Sequence, residues 1–139
     1  IPDDLIRHCA QSGGVIGING LSIFLGRRDE MAEHFVAQIE YIAALVGTEH
    51  VGIGLDHVFD QTDMNAQLVA ARGTWPEGYG YAPGIRYLDA SIFLQVTEAL
   101  LQRNWPEEKV RAVLGGNFWR VAQETWTPLG NAAPNGASA

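Results

Sequence analysis

The chain has 139 residues, a formal net charge of −7 and a sequence pI near 4.9. This length suits one domain with a buried core, and 47% hydrophobic with 18% charged residues is typical of a globular protein. The excess of negative charge argues against binding to nucleic acid or to an anionic membrane, because both need basic surfaces. The single cysteine, Cys9, excludes an intrachain disulfide framework and a Cys-rich zinc site, and it leaves the compartment open between cytoplasm and periplasm.

The first residues read as a helix in the middle of a fold. The chain opens on IPDDLIRHCAQSG, where Pro2 suits a first helical turn and the two Asp residues suit the positive end of the helix dipole. No initiating Met and no signal peptide are present, and no apolar run approaches the ~18 residues of a membrane span. We therefore expect that Ile1 is not the natural beginning of the polypeptide.

Short apolar segments alternate with helices in the first half of the chain. VIGING (15–20) and VGIGL (51–55) have the composition of buried strands, and residues 30–47 between them form the clearest predicted helix. Residues 21–29 are predicted to be a loop or an irregular extension. Apolar strands joined by a helix indicate a parallel sheet covered on both sides, and hence an α/β fold.

The second half begins with a long loop and ends with two helices. Residues 57–88 combine Gly, Pro and aromatic residues without periodicity, around a short helix at 64–72, and loops of this length usually serve function. Asp89 can cap the first closing helix, and Pro106 suits the first turn of the second. The tail at 127–139 is small and polar and is predicted to be flexible.

Asp56 stands where the second apolar strand ends. Ligands and catalytic residues of parallel α/β folds lie beyond the carboxyl ends of strands, so Asp56 is a candidate site residue. An Asp that caps the next segment is the equally weighted alternative. Asn19 follows the first strand at the equivalent position, where it either orients a ligand or bonds the backbone. Asn117 lies on an apolar helical face and is expected to support a nearby loop.

The glycine and histidine patterns match no common cofactor motif. The third glycine of a G-x-G-x-x-G fingerprint starting at Gly52 would fall at His57, so a dinucleotide site is not indicated. The four histidines show no H-x-H or H-E-x-x-H spacing, and no complete metal site is encoded. Only His57, beside Asp56, is a candidate for ligand contact.

Three stretches taken together resemble the C-terminal part of the membrane (renal-type) dipeptidases of the amidohydrolase superfamily. They are IPDDLIRHCAQSGGVIGIN (1–19), HVGIGLD (50–56) and VTEALLQRNWPEEKVRAVLGGNFWRV (96–121), in the order and spacing of that family. The resemblance implies the C-terminal part of a (β/α)8 TIM barrel, about two βα units plus C-terminal helices. Residues 1–126 would be this portion of a metal-dependent dipeptidase barrel, followed by the flexible tail 127–139.

The resemblance also implies a function, the hydrolysis of dipeptides with two zinc ions. The zinc ligands of the family lie upstream of what this chain contains, so no metal ligand is expected here and the segment alone should be inactive. Asp56 matches the family's aspartate on strand eight, which serves in proton transfer.

Substrate contacts follow less directly from the resemblance. Asn19, His57 and Asp60 are the substrate-binding candidates, although DHVFDQ carries two more residues than the family's compact Asp-Phe-Asp-Gly. Leu21 stands near the place where some relatives have a substrate-contacting Tyr. Both departures put the preferred dipeptide in question.

The expected partners are a dipeptide substrate and either the remainder of the barrel or another copy of the chain, because two strands with open edges need cover. Two other classes stay open. A non-catalytic relative would use the barrel as a small-molecule binding module, and a self-standing α/β domain would dimerise through the open sheet.

Overall fold

The computed structural model describes residues 1–25, 30–71, 73–81 and 84–126, so the predicted tail at 127–139 lies outside the described residues. Helices and two strands alternate in the first half, and helices close the chain. In order they are α1 (Asp3–Gln11), β1 (Ile16–Ile18), α2 (Ser22–Leu25), α3 (Met31–Val46), β2 (Val51–Ile53), α4 (Gln61–Ala70), α5 (Ile92–Gln102), α6 (Glu107–Arg111) and α7 (Asn117–Thr125). Single 3-10 turns occupy Thr48–His50 and Glu77–Tyr79.

The two strands pair in parallel, which confirms the predicted helix-strand alternation. Ile16 is opposite Val51 and Ile18 is opposite Ile53. Each strand is only three residues long, shorter than the apolar runs that predicted them. The backbone contact nevertheless continues past the strands, since the Gly20 N–H donates to the Leu55 carbonyl at 3.1 Å.

One face of the sheet carries the hydrophobic core. Alternate strand residues point to this face and pack against α3 and α5, where the largest side chains are fully buried. Burial of each such side chain stabilises the fold by about 1.5–3 kcal/mol. Among the helices of the described residues, none has both the length and the apolar character needed to cross a bilayer. The core residues without measurable exposure are Phe35, Ile39, Val51, Val96, Leu100 and Val113.

The opposite face of the sheet is made of glycine. Gly17, Gly52 and Gly54 lie on it; Gly54 packs against Gly17, and the ring of Phe118 from α7 packs against Gly17 and Gly52. A Cβ built at Gly52 would stand 2.6 Å from Cε2 of Phe118, so only glycine leaves room for the ring. Phe118 is 41% exposed, so it covers this face without entering the main core.

Three local predictions differ from the structure. Part of the region 21–29 is the short helix α2 and not an irregular extension. The helix predicted at 64–72 begins at Gln61, because Asp60 caps it. The second closing helix is broken, since a wide π turn over Ala112–Gly116 contains a non-helical Gly115 between α6 and α7.

An apolar groove of about 560 Å³ runs along the edge of β1 that faces away from β2. It is bounded by α1 and α3 and reaches Asn19 at one end. Its apolar lining residues are Ile1, Ile6, Ile16, Ile18, Phe24 and Ile42.

Candidate functional site

The candidate site lies at the carboxyl ends of β1 and β2. Because the strands are parallel, the residues that follow them meet at one edge of the sheet. Asn19 comes directly after β1, and Asp56 comes three residues after β2. The structure therefore brings these two predicted site residues together, although 37 positions separate them in the sequence.

Asp56 presents an exposed carboxylate on a strained backbone. Its φ of +54° lies in the left-handed region, which costs an ordinary L-residue about 1–2 kcal/mol and is entered by Asp and Asn more readily than by most others. One carboxylate oxygen, Oδ2, accepts a hydrogen bond from Nδ2 of Asn19 at 3.1 Å. From the described part of the chain, Oδ1 receives no hydrogen bond, so it is available to solvent or a ligand.

Asn19 uses both ends of its amide. Oδ1 accepts a hydrogen bond from the Leu21 N–H at 2.8 Å, while Nδ2 donates to Asp56. A backbone N–H can only donate and a carboxylate can only accept, so these two partners fix which end of the amide is which. The backbone bond predicted as one alternative for Asn19 is thus present, and a contact of Asn19 with a ligand stays a prediction.

His57 lies beside Asp56 but points to another partner. Its Nδ1 is 3.1 Å from the Leu88 carbonyl oxygen, and because a carbonyl only accepts, Nδ1 carries the hydrogen. The ring meets Phe59 edge to face, with the centroids 5.3 Å apart. The exposed His57 ring stays near the site, and its substrate contact stays a prediction.

Asp60 caps helix α4. Its Oδ1 accepts hydrogen bonds from the Thr62 and Asp63 N–H groups at 2.9 and 3.0 Å, which are the unpaired donors of the first helical turn. Capping of the next segment, the alternative role considered for Asp56, is thus performed by Asp60. Its predicted substrate contact would have to use the other carboxylate oxygen.

The end of the long loop is fastened beside the site, a feature that sequence reasoning missed. Leu21 forms an isolated antiparallel bridge with Tyr87, and the Leu88 N–H donates to the Gly20 carbonyl at 3.0 Å. The Gln61 side chain donates to the Tyr87 carbonyl at 3.1 Å and ties the same segment to α4. Leu21 is buried under this segment.

The pKa values of Tyr87 and Asp89 are shifted by groups close to the site. Burial raises the pKa of the Tyr87 phenol, and the negative charge of Asp56 raises it further. Hydrogen bonds from the Ser91 hydroxyl and backbone N–H lower the pKa of Asp89, with a small contribution from His57. Asp89 lies just before α5, and its Oδ1 accepts from the N–H of Ser91, the N-cap residue, at 2.7 Å, so the predicted cap is displaced by two residues.

The amino ends of the strands are occupied by structural hydrogen bonds. The buried Asn117 donates from Nδ2 to the Thr48 and Val51 carbonyls at 2.7 and 2.8 Å, which confirms its predicted supporting role. Nδ1 of His50 contacts the Gly14 carbonyl at 2.8 Å, and Arg120 donates to two further carbonyls. No candidate site residue lies among these contacts.

The described residues do not form a metal centre of their own. No group of three or more His, Cys, Asp and Glu side chains within the described ranges is arranged to hold a metal ion. At the carboxyl edge, Asp56 is engaged with Asn19 and Asp60 with a helix terminus. The donor set in this part of the chain therefore does not fit a complete zinc site.

The fold belongs to a known structural class. An amidohydrolase from Pseudomonas aeruginosa superposes on the chain with a TM-score of 0.70 at 27% sequence identity, over 89% of this chain and 40% of that chain. The mixed helix and sheet arrangement is thus that of part of an amidohydrolase.

The family follows from the sequence comparison. The profile of the membrane dipeptidases (Peptidase family M19) matches residues 1–77, which is more than half of the chain. The chain belongs to this family, and the resemblance noted above is confirmed. Dipeptidase 3 of Homo sapiens is 29% identical over 130 residues, covering 89% of this chain and 22% of that protein; Dipeptidase 3 of Macaca fascicularis is 27% identical with the same coverage. The chain thus spans about a fifth of the length of these curated relatives.

Proposed function

We propose that this chain is the C-terminal portion of a zinc-dependent dipeptidase, built as part of a (β/α)8 barrel, and that Asp56 is its catalytic acid and base. The observation that carries the proposal is an exposed carboxylate at the carboxyl ends of two parallel strands, in a chain of the membrane dipeptidase family. Barrel enzymes place their catalytic residues at this end.

In the proposed mechanism one group, the Asp56 carboxylate, transfers a proton twice. When water attacks the carbonyl carbon of a dipeptide, Asp56 takes one of its protons as the C–O bond forms. When the C–N bond breaks, Asp56 returns that proton to the nitrogen of the leaving amine. The oxygen that carries no hydrogen bond from the described residues, Oδ1, is the atom suited to this exchange.

The two zinc ions of the proposal are assigned to other residues than those described here. Bound zinc would make water a stronger acid and so supply a nucleophile near neutral pH. Because the described residues do not fit a complete metal site, we expect the 139-residue chain by itself to hydrolyse no dipeptide.

The Asp56→Asn substitution in the full-length enzyme tests the assignment. It keeps the shape of the side chain and removes its ability to take a proton, so we expect kcat to fall by about 100-fold or more, with bound zinc unchanged. The matched control is Asp63→Asn, which removes an equal charge from an exposed carboxylate on α4 and should leave kcat within about twofold. Near-normal turnover of Asp56→Asn with its metal retained would remove Asp56 from the mechanism.

The remainder of the barrel is the proposed partner of this segment. The apolar groove along the outer edge of β1 supports the proposal, because an unpaired strand edge lined by Ile16, Ile18 and Phe24 needs cover. Sedimentation of the purified 139-residue chain gives the test. We expect self-association through this edge, whereas a well-folded monomer would favour the alternative of a self-standing domain.

A further inference from the structure

Asn19 links the end of β1 to Asp56 through a pair of hydrogen bonds. Its amide lies between the Leu21 backbone N–H and the Asp56 carboxylate, at 2.8 and 3.1 Å. We infer that Asn19 is a positioning residue, which holds one oxygen of Asp56 so that the other faces the substrate. This inference rests on the proposed role of Asp56 and differs from the expectation that Asn19 itself binds substrate, which stays a prediction.

The anchor of the amide is rigid. Asn19 is partly buried, directly after β1, and the next residue, Gly20, is bonded through its N–H to Leu55 and through its carbonyl to Leu88. A Cβ at position 20 would stand 2.6 Å from the Leu55 oxygen, so the chain passes very close to the neighbouring strand here. The amide therefore projects from a backbone that is held on two sides.

Asp56 needs such an anchor more than an ordinary surface Asp does. Its side chain is exposed, and its backbone has a φ of +54°, a conformation that few residues with a Cβ adopt. The hydrogen bond from Nδ2 is the contact from the described residues that fixes the carboxylate. Without it the exposed side chain would sample other rotamers, and the proton-accepting oxygen would spend less time in reach of the reacting atoms.

Two substitutions of Asn19 test the donor and the acceptor of its amide separately. Asn19→Asp keeps an oxygen to accept from the Leu21 N–H and replaces only the group that donates to Asp56. Asn19→Leu removes both functions at similar size. If Asn19 positions Asp56, both variants should lower kcat by about 10- to 100-fold and change KM by less than about threefold. A residue that binds substrate directly would instead raise KM.

The experiment is steady-state dipeptide hydrolysis by the full-length enzyme with zinc content measured in each variant. Asn65→Asp is the matched control, because Asn65 also donates one bond, to Gln61, and accepts one, from Gly84, but lies on α4 away from Asp56. We expect its kcat to stay within about twofold. Should Asn19→Leu fail to fold, Asn19→Asp still tests the donor.

A double variant tests the positioning role of Asn19 separately from the proposed catalytic role of Asp56. If Asn19 acts only through Asp56, adding Asn19→Leu to Asp56→Asn should lower kcat no further. A raised KM with kcat preserved, a kcat within twofold of the parent, or a further loss in the double variant would each overturn the positioning role. Normal turnover of Asp56→Asn alone would instead overturn the proposed function.

Discussion

At the amino ends of β1 and β2, His50, Asn117 and Arg120 bond to backbone carbonyl groups. At the carboxyl ends, the described residues hold Asp56 through one oxygen, Oδ2. Both ends belong to the same short sheet and contain comparable polar groups. The two ends differ in how completely their polar groups are hydrogen-bonded within the protein. Saturated hydrogen bonds between side chain and backbone support the strands, while a carboxylate that is oriented and only partly bonded is suited to chemistry.

The largest effect on stability should come from the amino end. Asn117→Leu leaves the Thr48 and Val51 carbonyls without their donor in a buried place, so we expect the free energy of unfolding to fall by about 2–4 kcal/mol. Urea denaturation of the protein measures it. Asp56→Asn, at the exposed carboxyl end, should change the same quantity by less than about 1 kcal/mol. Equal losses would erase the contrast between the two ends.

The glycine face gives the next effect. Gly52→Ala would place a methyl group 2.6 Å from the Phe118 ring, and we expect a loss of about 1–3 kcal/mol from overpacking. Adding Phe118→Leu should restore part of it by vacating the space. Gly78→Ala is the matched control, because no atom lies within 4 Å of a Cβ built there. An unchanged unfolding midpoint for Gly52→Ala would mean that α7 shifts freely.

A smaller effect on stability should come from the left-handed backbone conformation of Asp56. Because its φ is +54°, Asp56→Gly should be more stable than Asp56→Ala by about 1 kcal/mol, although both lose the bond to Asn19. Chemical denaturation of the two variants side by side measures the difference. At an ordinary exposed position with negative φ the order would be reversed, so a more stable alanine variant would contradict the left-handed conformation.

The smallest expected effect concerns acid pH and Asp89, which lies just before α5. The folded pKa of Asp89 is lowered from 3.8 by its bonds to Ser91, so its stabilising contribution is present above that pH and is lost as the pH falls through the lower folded value. Asp89→Asn keeps an oxygen that can accept from the Ser91 N–H and does not titrate. Its thermal midpoint should therefore decline less than the parent's between about pH 5 and about pH 2. Parallel curves for the two proteins would contradict this linkage.

Local patterns predicted much of the first half. The apolar runs around Ile16–Ile18 and Val51–Ile53, with a periodic helix between them, indicated a parallel pair and placed Asp56 at its carboxyl end. Both features depend on neighbours in the sequence, where spacing alone is informative. The cap at Asp60 was not predicted, although the local sequence contains its signal, because an Asp before a helical segment is a common helix start.

The contacts that define the candidate site depend on distant residues, and for that reason the sequence did not reveal them. The bond from Asn19 to Asp56 spans 37 positions, and the bridge from Leu21 to Tyr87 joins the first strand region to the end of the long loop. No periodicity in a single segment encodes such pairs. The break at Gly115 was missed for a related reason, since the apolar pattern continues through it.

The left-handed backbone at Asp56 restricts which replacements the protein can accept there. Glutamate, the usual exchange that preserves an acid, would meet the same unfavourable torsion and would carry its charge one methylene farther out. Glycine and asparagine suit the torsion but carry no charge. A substitution that fits the positive φ thus removes the carboxylate, and a substitution that keeps a carboxylate leaves the backbone strained. No single replacement of Asp56 therefore both relieves the backbone and preserves the acid.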